Sequence, residues 1–425
     1  MREAQRMKFC MITTFYPPLN FGGDGIYVEA LSRALVEHGH EVTVVHCADA
    51  YRLAAGRHAA VPAETDTNGI RVHRLDSPFG FLSPLLTQQS GRPLLKERSL
   101  AAILARGFDV INYHNISLVG GPAVLQLPAP GAIKLYTLHE HWLLCSTHIF
   151  WKNKQRACDR RQCFTCSIRS GTPPQLWRLT DLVARSVRHV DALIAPSEFT
   201  ARLHREAGFA VPIVVNPHFA RIAPEQQSDH PSGEPPSRLE AHPDRDRHFL
   251  YVGRLTASKG IEPLLTQFAA HPHLRLHVAG GGESYGPLVA RFGHLPNIKF
   301  LGAIDAATLA AEYSGAIALI LPSLAPETFG LAVVEAMAFG TPSVVRNAGG
   351  CREIIEESGA GFVFERFEEL PALLGRLQED PTLRDTLGAR ARAAYHARYN
   401  VERHLGEYLG LIERLGRARP QRALQ

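Results

Sequence analysis

Two glutamates, Glu327 and Glu335, stand on either side of Gly330 in a segment that follows the apolar run 317–321. That run predicts a buried strand, and the Ala-rich stretch after Gly330 predicts a helix that Gly340 ends. A helix N-terminus after a parallel strand offers free backbone N–H groups to anions. Carboxylates accept hydrogen bonds from sugar hydroxyls. The segment therefore predicts a site for an anionic, hydroxyl-bearing ligand such as a nucleotide sugar.

A glycosidase acid–base pair is the rival interpretation of these two glutamates. Such carboxyls lie about 5–9.5 Å apart across one bond. Eight residues of continuous helix would separate Glu327 from Glu335 by about 12 Å. Two glutamates that bind different parts of one elongated ligand fit the spacing better. A helix cap with a solvated glutamate is the structural alternative.

The elements that must position these residues are short apolar runs that alternate with helical patterns. Strands buried on both faces of parallel sheets have this appearance. Two such sets predict an α/β protein with two doubly wound, Rossmann-like domains. The predicted strands are 9–15, 41–46, 109–113, 132–137 and 192–195 in the first set, and 249–252, 274–279, 298–301, 317–321 and 343–345 in the second.

Composition places the boundary between the domains. The Pro-rich, almost non-apolar stretch 223–248 cannot bury enough surface to fold, so we expect a mobile segment there. It separates a first domain, 1–222, from a second, 249–396. Apolar residues at helical spacing in 397–425 predict a C-terminal helix with one face that must dock.

The motifs together resemble those of retaining glycosyltransferases of family 4, which have the GT-B fold. The resemblance covers about residues 7–396 and is specific in combination. Its motifs are Glu327-x-Phe-Gly-x-x-x-x-Glu335-Ala-Met-Ala-x-Gly-x-Pro, Gly253-Arg254…Lys259-Gly260, Ala279-Gly280-Gly-Gly-Glu283, Gly349-Gly350…Glu353, and Pro17-Pro…Gly22-Gly23 with Gly39-His-Glu-Val42. It implies two domains facing across a cleft, with the C-terminal helix docking back on the first domain.

The resemblance also implies roles for single residues. Arg254 and Lys259 would bind the donor diphosphate, and Glu327 would lie at its sugar and phosphate end. Glu335 would hold the ribose hydroxyls. His139, after a predicted strand, matches the family's active-site histidine, although a lone histidine is more often structural. The other donor-binding positions it implies are Gly22, Gly23, Gly253, Gly280, Gly281, Phe329, Gly330 and Leu331.

The implied reaction is a front-face substitution that retains the anomeric configuration. The donor diphosphate oxygen helps to deprotonate the acceptor, and the protein positions the reactants and stabilises the departing nucleotide. We expect no metal or cofactor requirement for this catalysis. The donor would be a UDP-, GDP- or ADP-linked hexose or amino sugar.

The resemblance makes a basic, cysteine-rich segment, 143–180, an insertion in the first domain. The stretch 151–188 holds nine Lys/Arg and two Asp, a net charge of +7 in a chain whose total is +5. In a reducing cytoplasm, clustered cysteines favour a metal over a disulfide. Structural zinc is one interpretation; free thiols or redox-labile disulfides are a second, and an iron–sulfur centre is a third. The candidate ligands are Cys145, Cys158, Cys163 and Cys166.

Aromatic residues among these cations fit an anionic membrane surface, a lipid-linked acceptor or nucleic acid. A solvated basic loop is equally compatible. In the resemblance, the insertion lies beside His139. This position favours a role in recognising a carbohydrate or lipid-linked acceptor over a role in binding nucleic acid.

Length and composition limit the classes of protein. The chain has 425 residues, 45% hydrophobic and 20% charged, which excludes a disordered or collagen-like chain and a small disulfide scaffold. No apolar run reaches the roughly 18–20 residues of a membrane span. The first residues lack the apolar core of a signal peptide. We expect a cytoplasmic protein, and peripheral contact with the inner face of the membrane is compatible with its basic segment.

The leading prediction is thus a retaining glycosyltransferase. The alternatives are a nucleotide-sugar epimerase of the same fold and an anionic-surface or nucleic-acid binding protein with a degenerate transferase core. The presence of Arg254, Lys259, Glu327 and Glu335 argues against degeneration.

Overall fold

A computed structural model describes residues 6–56, 64–221 and 247–419. The predicted Pro-rich segment, 223–248, lies almost entirely outside these residues. The strands are β1 (Lys8–Ile12), β2 (Glu41–Cys47), β3 (Glu64–Thr67), β4 (Ile70–Leu75), β5 (Val110–Tyr113), β6 (Ile133–Thr137), β7 (Trp151–Lys152), β8 (Arg156–Ala157), β9 (Ala192–Ala195), β10 (Ile213–Val215), β11 (His248–Val252), β12 (Leu276–Ala279), β13 (Ile298–Gly302), β14 (Ala316–Leu321), β15 (Ser343–Arg346) and β16 (Gly361–Phe364).

The α-helices alternate with these strands. They are α1 (Gly23–Glu37), α2 (Ala48–Ala55), α3 (Leu82–Ser90), α4 (Glu97–Leu104), α5 (Cys163–Arg169), α6 (Leu182–Val187), α7 (Glu198–Glu206), α8 (Ile261–Ala270), α9 (Tyr285–Phe292), α10 (Ala306–Gly315), α11 (Leu331–Ala338), α12 (Gly350–Ser358), α13 (Leu370–Glu379), α14 (Pro381–Ala394) and α15 (Val401–Ala418). No helix in the described ranges is both long and apolar enough to cross a membrane.

The chain divides into two compact units. The first comprises Met1–Ile149, Arg160–Asn216 and His404–Gln425, and the second comprises Phe150–Asp159 and Pro217–Arg403. Each has its own sheet and core, as the two sets of predicted strands require.

The first unit contains an eight-stranded sheet in the order β10-β9-β6-β5-β1-β2-β4-β3. Its strands run parallel except β3, which pairs antiparallel with β4 at the edge. The chain direction across the sheet reverses between β1 and β5. Doubly wound sheets bind ligands at such a reversal, beyond the carboxyl ends of the strands.

The C-terminal helix α15 docks on this first sheet, as predicted. Asn112 Nδ2 of β5 donates to the Tyr408 hydroxyl over 3.1 Å. The Tyr27 hydroxyl of α1 lies 2.8 Å from His404 Nε2. The buried face of α15 therefore carries polar groups that are matched by polar groups of the first unit.

The second unit contains a six-stranded parallel sheet in the order β13-β12-β11-β14-β15-β16. Its central strand, β14, is buried at all six positions because helices cover both faces. Here the reversal lies between β11 and β14. The two Rossmann-like sheets and the docked C-terminal helix confirm the predicted GT-B class of fold.

Candidate functional site

Two tight turns pack against each other beyond the carboxyl ends of β11 and β12. The amide of Gly253 donates to Ala279 O, and that of Leu255 donates to Gly281 O, over 3.1 and 2.9 Å. Gly280 has φ +134°, and a Cβ there would lie 2.0 Å from Gly253 O. Gly280 is thus required by the packing of the two turns, whereas a Cβ on Gly281 would meet open space. Arg254 extends from this junction into solvent.

A second loop contact places Lys259 toward β14. Ser258 O accepts hydrogen bonds from the amides of Leu324 and Ala325, each over 2.9 Å. A Cβ on Gly260 would lie 2.1 Å from Pro322 O. Because only glycine fits this contact, the loop after β11 lies directly on the loop after β14.

This loop contact brings the ammonium group of Lys259 to Glu327. Lys259 Nζ donates to Glu327 Oε1 over 2.6 Å, and the Ser323 hydroxyl also donates to Oε1. Burial raises the pKa of Glu327, but the charge and hydrogen bond of Lys259, with smaller contributions from Ser323 and Arg254, hold that pKa below its usual value. Glu327 is therefore an ionised, partly buried carboxylate beside two cations.

The backbone of Glu327 is fixed independently of its side chain. Its amide donates to Ala348 O over 2.9 Å, and its carbonyl accepts from the amide of Gly350 over 2.8 Å. Gly349, at φ +88°, could not carry a Cβ, which would lie 2.2 Å from Glu327 O. The Gly-Gly turn after the signature thus holds the loop that carries Glu327.

Glu327 lies on a loop and Glu335 on helix α11, which begins only at Leu331. The 12 Å separation expected for a continuous helix therefore does not apply. The Tyr313 hydroxyl of α10 donates to Glu335 Oε2 over 2.7 Å. Burial raises the pKa of Glu335 above its usual value, and the hydrogen bond from Tyr313 offsets only part of this rise. Tyr313 is a partner of the site that sequence reasoning missed, since nothing near it in the chain signals the contact.

The residues between the two glutamates shape the start of α11. Gly330 is its N-terminal cap at φ +122°, and Leu331 is its first residue. Phe329, 4% exposed, packs its ring edge-on against His218 and Tyr399. The Phe329 side chain thus belongs to the core, whereas the backbone after it forms the helix N-terminus.

In the first unit, the Gly22-Gly23 loop leads into α1. Gly22 has φ +88°, and a Cβ there would meet nothing closer than 3.8 Å. The backbone conformation therefore favours glycine, and the role of Gly22 and Gly23 toward phosphates stays a prediction. Asp24, which sequence reasoning passed over, follows them. Burial and Glu140 raise its pKa to about 6, although Asn115 Nδ2 donates to it over 3.1 Å.

His139 lies beyond the carboxyl end of β6, where the sequence predicted it. Its Nε2 is 2.9 Å from His114 Nδ1, and its ring meets Tyr27 edge-on with centroids 4.9 Å apart. Burial, with the charge of His404, lowers the pKa of His139 to about 3. His139 is therefore a neutral imidazole held in an aromatic cluster.

The cysteines of the basic segment are divided between the units. Cys158, directly after β8, belongs to the second unit, and the other three belong to the first. Arg178 lies over both Trp142 and Trp177, 5.0 and 4.5 Å from the ring centroids. Within the described part of the first unit, Cys145, Cys163 and Cys166 do not form a triad of donor atoms within 4.8 Å of one another. The structural-zinc assignment stays a prediction.

Two family models match this chain and together span most of it. Residues 21–221 match "Glycosyltransferase Family 4", and residues 237–394 match "Glycosyl transferases group 1". The chain belongs to glycosyltransferase family 4. The motifs that suggested the family lie in both matched regions.

Two curated relatives of this glycosyltransferase match over most of their own length. An uncharacterized glycosyltransferase of Methanocaldococcus jannaschii is 26% identical over 366 residues, 84% of each chain. A glycogen synthase of Mycobacterium tuberculosis is 25% identical over 413 residues, 91% of this chain and 89% of the relative.

Solved structures share the fold at lower identity. Sucrose-phosphate synthase from Thermosynechococcus elongatus has a TM-score of 0.74 at 22% identity, with 97% of this chain and all of that chain covered. Anabaena HepE in complex with UDP has a TM-score of 0.65 at 18% identity, with 96% of this chain and all of that chain covered. The catalytic domain of Arabidopsis thaliana starch synthase IV, bound to ADP and acarbose, has a TM-score of 0.66 at 14% identity. The match covers 97% of this chain and all of that chain.

Proposed function

We propose that this glycosyltransferase transfers a hexosyl group from a nucleotide diphosphate sugar to a carbohydrate or lipid-linked acceptor, with retention of configuration. The observation that carries the proposal is the convergence of Lys259 and Glu327 at the reversal between β11 and β14, beside Arg254. An anionic leaving group needs fixed cations where its charge develops. An ionised carboxylate such as Glu327 accepts hydrogen bonds from sugar hydroxyls.

In this proposal, each residue of the second unit acts on one part of the donor. Arg254 and Lys259 neutralise the diphosphate, Arg254 through its planar fork and Lys259 as a point charge. Glu327 orients the sugar, and Glu335 accepts hydrogen bonds from the ribose. The HepE and starch synthase complexes contain UDP and ADP, which supports a nucleotide donor. The glycogen synthase relative supports a hexosyl rather than an N-acetylhexosaminyl donor.

The first unit would bind the acceptor and the transferred sugar. A neutral His139 can accept or donate a hydrogen bond to a sugar hydroxyl without adding charge. In front-face substitution the acceptor proton passes to the departing diphosphate oxygen, so no residue of the chain needs to act as the base. His139 then positions the sugar, and the cations of the second unit stabilise the leaving group.

The test is product analysis with UDP-, GDP- and ADP-glucose over a panel of glycan and polyprenyl-phosphate acceptors. We expect acceptor-dependent release of one nucleotide diphosphate and, by proton NMR, a product with the donor's anomeric configuration. An inverted product would contradict retention. Conversion of the donor to an epimer without an acceptor would favour the alternative, a nucleotide-sugar epimerase.

We also propose that the basic segment brings the first unit to an anionic lipid surface, where a lipid-linked acceptor would be presented. Its exposed apolar side chains, Phe164, Ile168, Leu176 and Leu179, stand among its cations. Leu179 is 82% exposed, which favours a partner for this apolar surface.

Co-sedimentation of the full chain with vesicles tests this surface. We expect binding to phosphatidylglycerol vesicles that falls with salt and is weakened in the double variant Phe164→Ser/Leu179→Ser. Leu53→Ser, an exposed leucine elsewhere in the same unit, is the matched control. Equal binding by both variants would contradict the proposal.

A further inference from the structure

Two histidines and a glutamate of the second unit cluster away from the donor-site turns. His248 is the first residue of β11, His277 lies in β12, and Glu312 lies on α10. The donor-site glycines follow the carboxyl ends of the same two strands, at 253 and 280. The cluster therefore lies nearer the amino ends of these strands, and the proposed transfer reaction does not use it.

The strand register brings the two imidazoles together. Leu250 of β11 is the partner of His277, so His248, two residues earlier, lies on the same face of the sheet. The rings stack with centroids 3.7 Å apart and planes at 14°. Helix α10 contacts β11 and presents Glu312 to both rings.

The nitrogen atoms of the two rings converge on one carboxylate oxygen. His248 Nε2 lies 2.9 Å and His277 Nδ1 lies 2.8 Å from Glu312 Oε2. The side chains are 7, 14 and 16% exposed for His248, His277 and Glu312, so water can reach one side of the cluster. In the described ranges, this is the one set of three such donors within 4.8 Å of one another.

We propose that His248, His277 and Glu312 bind a divalent transition-metal ion, with Zn²⁺ as the best match. Two imidazoles and one carboxylate are a ligand set that zinc accepts, with a water in the fourth position. Zinc bonds of about 2.0–2.2 Å place neighbouring tetrahedral donors roughly 3.3–3.5 Å apart. Each nitrogen–oxygen pair would therefore separate by about half an ångström, and the two stacked rings would turn apart so that a lone pair of each points at the ion.

Three separate elements hold the backbones of the ligands, so binding requires movement of side chains only. The backbones of His248 and His277 are fixed by strand pairing, and that of Glu312 lies in a helix. To bind, each neutral imidazole carries its N–H on the ring nitrogen that does not face the ion, Nδ1 in His248 and Nε2 in His277. The ion then ties α10 to β11 and β12 and stabilises the second unit.

Zinc binding by the full chain, stripped of metal by a chelator, tests the proposal. Zn²⁺ is titrated in competition with a chromogenic chelator against wild type, His277→Gln and Glu312→Gln. Glutamine preserves a polar side chain of similar length but is a poor zinc ligand. We expect both variants to bind one equivalent fewer, or to bind that equivalent at least tenfold more weakly. His273→Gln, an exposed histidine just before β12, is the matched control and keeps wild-type binding.

The spectrum of the Co²⁺-substituted wild-type protein distinguishes this site from the cysteines and does not depend on any variant folding. A tetrahedral ion with nitrogen and oxygen ligands gives visible d–d bands and no near-ultraviolet thiolate-to-cobalt band. We expect the cobalt equivalent that His277→Gln loses to show only d–d bands. The variant Cys163→Ser should still bind that equivalent. Identical titrations of wild type, His277→Gln and Glu312→Gln, or a wild-type spectrum that shows cobalt on thiolates alone, would overturn the proposal.

Discussion

The ion pair between Lys259 and Glu327 gives the most quantitative test of the geometry. The two groups are 2.6 Å apart, and their side chains are 26 and 17% exposed. Unit charges about 4 Å apart attract by about 4 kcal/mol at an effective dielectric constant of 20, and desolvation offsets part of this. We expect a coupling free energy of about 2 kcal/mol, between that of a surface pair and that of a fully buried pair.

A double-mutant cycle with Lys259→Met and Glu327→Gln measures this coupling. Because the chain has two units, the free energy of opening is read from hydrogen exchange of the amides of β14, which report on the second unit alone. Lys259→Met removes the cation that contacts the partly buried Glu327, so this single variant is expected to lose about 1–3 kcal/mol at pH 7.

The pH dependence provides a second check on the same pair. The folded-state pKa of Glu327 lies below its unfolded value of 4.5, so its contribution to stability is present above that pH. That contribution is lost as the pH falls through the lower, folded-state pKa. We therefore expect the coupling to stay constant from pH 8 to pH 5 and to shrink below about pH 4.

An exposed pair in the same unit is the control for this cycle. Arg291 and Glu262 are 60 and 54% exposed, and their coupling is expected to be below about 0.5 kcal/mol. A Lys259–Glu327 coupling no larger than that of this control would refute the claim that the loops after β11 and β14 form a partly buried ion pair.

Three further predictions concern single residues of the two units. Gly280→Ala should destabilise the second unit by more than about 3 kcal/mol, because residue 280 has φ +134° and its Cβ would lie 2.0 Å from a carbonyl oxygen. In the same hydrogen-exchange experiment, Gly281→Ala should change stability by less than about 1 kcal/mol, because there is open space around its Cβ. His139 should show no imidazole titration between pH 5 and 8 by NMR, because its pKa is about 3; a midpoint near 6.5 would contradict its burial. Tyr313→Phe should weaken nucleotide binding by about 3–10-fold in calorimetry, because Glu335 loses a 2.7 Å hydrogen bond; unchanged affinity would mean that this bond does not position Glu335 for the ligand.

The sequence predicted the central strands of both sheets because they are buried on both faces. All ten predicted strands exist, and the run at β14 is apolar at each of its six positions. The strands that it missed are short, polar or at the edges. Strand β4 contains His73 and Arg74, two basic residues buried in the fold, and these interrupt its apolar pattern. Strand β16 begins with Gly361, where a Cβ would strike the neighbouring strand.

The candidate site was predicted residue by residue, but its internal contacts were not. The motifs indicated Lys259 and Glu327 separately, and only the fold shows that the loops after β11 and β14 join them. Tyr313 and Asp24 were missed for different reasons. Tyr313 reaches Glu335 across 22 positions of the chain, which no local pattern reveals. Asp24 was visible directly after the Gly-Gly loop, and its significance depends on burial.

Nucleotide diphosphate binding tests the central claim most directly. Calorimetry with UDP, GDP and ADP compares wild type with Arg254→Ala, Lys259→Ala and the control Lys299→Ala, an exposed lysine of β13. We predict that at least one diphosphate binds wild type, that Arg254→Ala and Lys259→Ala each weaken it at least tenfold, and that Lys299→Ala binds as wild type. At 100 times its dissociation constant, that ligand should also stabilise the folded protein by about 2.7 kcal/mol. No binding of any diphosphate, or equal affinity in all four proteins, would contradict the donor site at the β11–β14 reversal.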